Sequence, residues 1–157
     1  MDAKVIEDYE KGGDDLRMAV RGLEREDLVA FPVPGKWSIQ QVVIHLLDSE
    51  LVIADRIKRV IAEEKPSLLA FDENRWVKNL FYDEQSVDDA VTIVELNRRN
   101  LAQVLKKLPA EAFKRTGIHN ERGPQTLEDL ITHAVNHLKH HIKFIVDKRE
   151  KMGKIMW

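Results

Sequence analysis

The chain has 157 residues, 43% of them hydrophobic and 33% charged, which is enough apolar material for one buried core, while its longest apolar runs fall far short of a bilayer span. Its 25 basic and 27 acidic residues are dispersed and leave a net charge of −2, so there is no field for a phosphate backbone and no nucleic-acid partner is expected. The lack of cysteine excludes disulfides, thiolate ligands and a cysteine nucleophile, and a start without an apolar leader points to a cytoplasmic protein with no membrane attachment.

No repeat, low-complexity tract or long linker interrupts the chain, and a single domain over residues 1–157 is expected. Punctuation falls at Gly12-Gly13, Pro32 to Gly35, Pro66, Pro109 and Gly123-Pro124. The segments between have helical periodicity and no convincing strand alternation, so the expected class is all-α. A first helix is predicted over residues 2–22, with Gly12-Gly13 a weak spot, followed by a short turn over 25–30. The second starts at Ser38-Ile39-Gln40-Gln41, which reads as a capping box. Its stripe of Ile39, Val42, Val43, Leu46, Ile53, Ala54, Ile57, Val60 and Ile61 continues to about residue 64. Residues 65–85 form a long connection with a short helix over 72–79, of the kind that covers a site or makes a crossover. A third helix is predicted over 86–107 and a fourth from Thr126 to about 149, joined by a loop over 108–125. Four long helices predict a four-helix bundle with a long crossover connection.

Four of the six histidines crowd the last helix: His133, His137, His140 and His141. Residues four apart stack on one helical face, so His137 and His141 can aim two imidazoles at a single point, as a pair of metal ligands must. Both border the apolar stripe. On the second helix His45 also flanks its stripe, in one sector with Ser49, Val52 and Arg56. Two readings stand: three nitrogens converging on an ion between facing helices, or half-buried structural imidazoles satisfied locally.

Two stretches carry a family resemblance. Pro34-Gly-Lys-Trp37-Ser-Ile-Gln-Gln-Val-Val-Ile-His45-Leu-Leu-Asp48-Ser-Glu50 looks like a Trp-Ser/Thr helix start followed by a first ligand, and Gly123-Pro-Gln-Thr126 through His137-Leu-Lys-His140-His141 looks like a final helix with its ligand pair. With both in this order, the chain resembles the DinB/YfiT-like superfamily of metal-dependent enzymes over nearly its whole length. The resemblance implies His45, His137 and His141 as ligands of a divalent metal, zinc or nickel, in a homodimer of crossover four-helix bundles. His133 falls outside that pattern, with a supporting or substrate-facing role open to it, and His140 is assigned to the surface or an interface. Ile142-Lys143-Phe144-Ile145 stands where relatives often carry Arg-Gly-Gln-Ile, which puts any role of that arginine in doubt.

Helical projection relates Asp48, Ser49, Glu50 and Arg56 to His45 on the second helix. Asp48 is a candidate to orient a ligand ring, whereas Glu50, nearly opposite His45, is expected in solvent. Ser49, Arg56 and Trp76 are candidate substrate contacts, although Arg56 fits a snorkelling or ion-paired role equally well. Trp37 is expected to pack against the start of the second helix, and Trp76, Phe71, Phe81 and Tyr82 to seal the bundle or roof a pocket. Trp157 is assigned to a frayed tail or an interface. The implied chemistry on a small-molecule substrate is hydrolysis by activated water, or transfer using a low-molecular-weight thiol cosubstrate. The competing reading is a non-catalytic binding module with a structural or vestigial metal site.

Overall fold

The long helices begin where their capping side chains dictate. Ser38 Oγ accepts from the Gln41 amide at 3.1 Å while Gln41 Oε1 accepts from the Ser38 amide at 3.2 Å, and Thr126 and Asp129 reciprocate at 3.0 and 2.9 Å. These boxes start α3 (Ile39–Ala62) and α6 (Leu127–Lys151). Asp2 and Ser86 cap α1 (Ala3–Val20) and α5 (Val87–Leu105), and two short helices, α2 (Arg25–Val29) and α4 (Glu73–Asn79), lie in the connections. The computed structural model describes residues 1–156, so the assignment for Trp157 lies outside the described residues.

Gly12 and Gly13 do not break α1. A methyl group on Gly13 would stand 2.6 Å from Glu95 Cα, and one on Gly12 2.6 Å from Leu138 Cδ2, so these glycines are where α1 lies closest to α5 and α6.

The four long helices pack in a ring, α1–α5–α3–α6, with α1 diagonal to α3 and α5 diagonal to α6. Ile53, Ile57 and Val60 share one apolar cluster with Leu101 and Leu105, while Val42, Val43 and Leu46 share another with Ala90, Val91 and Val94. Neighbours α3 and α5 are therefore parallel, and residues 63–86 must travel back along the bundle to join them. That return is the expected crossover.

Between the two clusters lies a buried polar layer that touches all four helices. Glu50 of α3 and Arg98 of α5, each only 2% exposed, pair at 2.8 Å. Arg98 also donates to the Tyr9 carbonyl of α1 at 3.2 Å and the Ala134 carbonyl of α6 at 3.0 Å. Tyr9 Oη and Asn97 Nδ2 donate to Glu50 Oε1 at 2.5 and 2.9 Å. The expectation of a solvated Glu50 is overturned. The face opposite His45 is not water but the α5 contact, because α3 is covered on several sides and its amphipathic stripe marks only part of its buried surface.

Residues 108–125 are more than a loop. A turn of 3₁₀ helix (Ala110–Lys114) precedes a hairpin of β2 (Thr116–His119) and β3 (Gly123–Thr126), and β1 (Ser67–Leu68) of the crossover pairs parallel to β2. The register Leu68↔His119 clips the crossover to the hairpin beside α3. Strands of two and four residues are too short to show alternation, and β1 finds its partner only through tertiary pairing.

Candidate metal centre

Antiparallel packing of α3 against α6 brings His45 beside His137 and His141. One ring nitrogen from each lies within 4.8 Å of the other two, and His45 Nε2 is 3.3 Å from His137 Nε2. Ring centroids are 5.2 Å apart for His45 and His137, 4.8 Å for His45 and His141, and 4.6 Å for His137 and His141. His45 is 1% exposed, with Trp37 edge-on to its ring at 5.2 Å, so this tryptophan packs on the histidine cluster as well as on the start of α3.

Burial pushes the three imidazoles below their ordinary range, His45 and His141 to about 4 and His137 to about 3. Mutual repulsion adds to the shift at His137 and His141. All three are neutral at pH 7, the form a metal ligand requires. The buried Nδ1 atoms of His45 and His141 have no hydrogen-bond partner among the described residues, so the protein does not itself compensate their burial. A tetrahedral ion with bonds of 2.0–2.1 Å separates its nitrogen ligands by about 3.3 Å. The His45–His137 spacing matches that separation, and three neutral imidazoles suit a divalent transition-metal ion.

His141 of the cluster faces a separate cavity beside Trp37 and Phe144, while His45 and His137 line one of about 420 Å³. Its walls come from Ser49 and Arg56 of α3, residues 70–73 of the crossover, His119 and Arg122 of the hairpin, and His133 of α6. Ser49 Oγ lies 3.4 Å from His45 Nε2, and Glu73 Oε2 lies 3.7 Å from the same nitrogen. Of the other residues singled out in the sequence, Ser49, Arg56, Phe71 and His133 thus reach the cavity. Asp48 and Trp76 do not; they line an adjoining cavity, with Arg56, Ala70 and Phe71 shared between the two. Asp48 accepts from Tyr82 Oη at 2.5 Å, and burial raises its carboxyl above the usual range. Trp76 packs on Phe71 at 4.6 Å and so backs one wall. Tyr82 is buried and does seal the bundle, but Phe81, left-handed at φ 52 and 69% exposed, neither seals nor roofs anything. His140 is exposed and rests on Phe144 at 4.5 Å.

Sequence reasoning missed His119 and Glu73 at this site. Neither belongs to an amphipathic pattern: His119 arrives on a four-residue strand and Glu73 on the first turn of a seven-residue helix.

Comparison with known proteins places these features in a lineage. The description of the DinB superfamily matches residues 8–145. The chain belongs to the DinB superfamily. The DinB span includes His45, His137 and His141. Among relatives, a Bacillus cereus (strain 03BB102) protein named "Putative metal-dependent hydrolase" is 26% identical over 148 residues, covering 94% of this chain and 85% of the relative. One of the same name from Oceanobacillus iheyensis is 28% identical over 130 residues, covering 83% and 75%. The solved structure of YfiT from Bacillus subtilis, described as "a probable metal-dependent hydrolase with an unusual four-helix bundle topology", superposes with a TM-score of 0.89 at 27% identity, covering 96% of this chain and 86% of that one. The ring order and parallel α3–α5 pair are this DinB protein's form of the four-helix bundle.

Proposed function

We propose that this DinB-superfamily protein is a metal-dependent hydrolase of a small molecule, with His45, His137 and His141 holding one zinc or nickel ion. The observation that carries the reading is the convergence of three neutral imidazoles, within 4.8 Å of one another, two of which line a 420 Å³ cavity. The names borne by its relatives support it. A divalent ion on three nitrogens, with a position open to substrate or water, supplies Lewis acidity that makes a nucleophile available near neutral pH.

The chain's own residues do the rest. Glu73 Oε2, the carboxylate oxygen 3.7 Å from His45 Nε2, accepts the proton that the nucleophile gives up. Ser49 Oγ, 3.4 Å from the same nitrogen, hydrogen-bonds the polar group of the substrate that enters beside it. Phe71 and Trp37 crowd the His45 ring and limit access of bulk water.

The test is hydrolysis of an ester and amide panel by metal-loaded protein. Chelation should abolish activity and zinc or nickel restore it. Glu73→Gln should lower the rate about a hundredfold or more, the range of general acid–base catalysis, while metal content is unchanged. Activity indifferent to chelation would contradict the hydrolase reading.

A further inference from the structure

The end of the cavity away from the neutral histidine cluster carries positive charge. Arg56 is 7% exposed, its Nε has no partner, and its guanidinium makes no ion pair among the described residues; Nη2 donates to the Leu69 carbonyl. A buried guanidinium stays charged, and leaving it without a counter-ion is costly. His119 is 4% exposed, and its Nδ1 accepts from the amides of Glu121 at 3.2 Å and Arg122 at 3.3 Å. Those two bonds fix the tautomer: the ring proton is on Nε2, which makes His119 a donor. Arg122, exposed on the turn between β2 and β3, forms no ion pair among the described residues. Burial holds the His119 ring below its ordinary range, Arg56 and Arg122 push it further and Glu121 opposes them, so these groups lie within one another's field.

Three carboxylates share the cavity wall. Asp72 caps α4 by accepting from the amides of Asn74 and Arg75, and Glu73 stands by His45 at the other end. Glu121 is exposed, and its carboxylate pairs with none of the cations beside it among the described residues. The cationic end therefore has donors without matching acceptors.

We infer that Arg56, His119 and Arg122 form an anion subsite that holds a carboxylate or phosphate group of the substrate, apart from the bond being broken. The guanidinium of Arg56 offers paired donors to such a group, His119 Nε2 adds a neutral donor, and Arg122 closes the site from the hairpin. Substrates of this protein are then anionic small molecules, anchored at the hairpin end and reacting at the histidine end. The assignment of the anion to a substrate rests on the hydrolase reading; the subsite itself does not.

Calorimetric titration of the full chain with inorganic phosphate and with succinate, at matched ionic strength in chloride, tests the subsite. Wild type should bind at least one of the two at a single saturable site, and the preferred probe tells phosphate from carboxylate. Arg56→Gln should weaken binding about tenfold or more, and Arg122→Gln, whose exposed position spares the fold, about threefold or more. His137→Ala should bind the anion within about twofold of wild type while losing its metal, so that failure of the metal site and failure of the subsite are read separately. Absence of saturable binding overturns the inference, as does wild-type binding by a folded Arg122→Gln. Loss of anion binding in His137→Ala alone would assign the anion to the histidines instead.

Discussion

At His45, His137 and His141 the same burial that readies the rings for an ion makes the metal-free protein sensitive to acid. Free histidine titrates near 6.5, and the folded rings titrate at about 3 to 4. Between those values the unfolded chain binds more protons, so stability rises with pH through this window and is lost as pH falls through it. Urea unfolding of chelator-treated protein should show a larger loss from pH 7 to pH 5 for wild type than for His137→Asn; equal losses would show that the rings are solvated. The choice of these three rings as a set came from the family resemblance, but that they flank the apolar stripes of their helices was readable in the sequence, because helix spacing and an amphipathic flank are local properties. Glu50 was not, since its burial depends on which face α5 covers, and His119 and Glu73 were not, since their positions depend on strand pairing and on the crossover's path. Truncating Glu50 to alanine should cost about 3–5 kcal/mol by leaving Arg98 buried and unpaired, measured by denaturant unfolding, and a cost below about 1 kcal/mol would show that the layer is solvated.

Among the helices, the capping boxes at Ser38 and Thr126 placed two starts to the residue. The glycines of α1 misled, because low helix propensity signals a break when read locally and a close approach when read in three dimensions. Gly13→Ala makes the distinction measurable. On propensity alone the change would stabilise α1 by about 1 kcal/mol. With Glu95 Cα only 2.6 Å from the new methyl group, overpacking of about 1–3 kcal/mol should outweigh that gain and lower the melting temperature. A raised melting temperature would mean that α1 and α5 can separate freely. The hairpin and β1 were hidden for other reasons: β2 and β3 are four residues each, too short to show alternation, and β1 exists only because the crossover returns past residue 68 and meets residues 118–119.

The bundle as assembled divides labour along its length. Two apolar clusters hold the ends, the Glu50–Arg98 layer ties the four helices between them, and the crossover, obliged to return because α3 and α5 are parallel, covers the cavity with Phe71 and Glu73. The helical class and the shared face of His137 and His141 were evident from periodicity, but the polar layer and the cationic end of the cavity arise from pairings between distant segments that no single helix records. The hydrolase reading rests on the three imidazoles sharing one ion. Metal content of protein purified without a histidine tag, compared with His45→Ala and His137→Ala, measures that sharing. The structure predicts about one divalent ion per chain in wild type and less than about a tenth of that in each folded variant, as loss of one of three ligands requires. Equal metal in all three proteins would contradict the site.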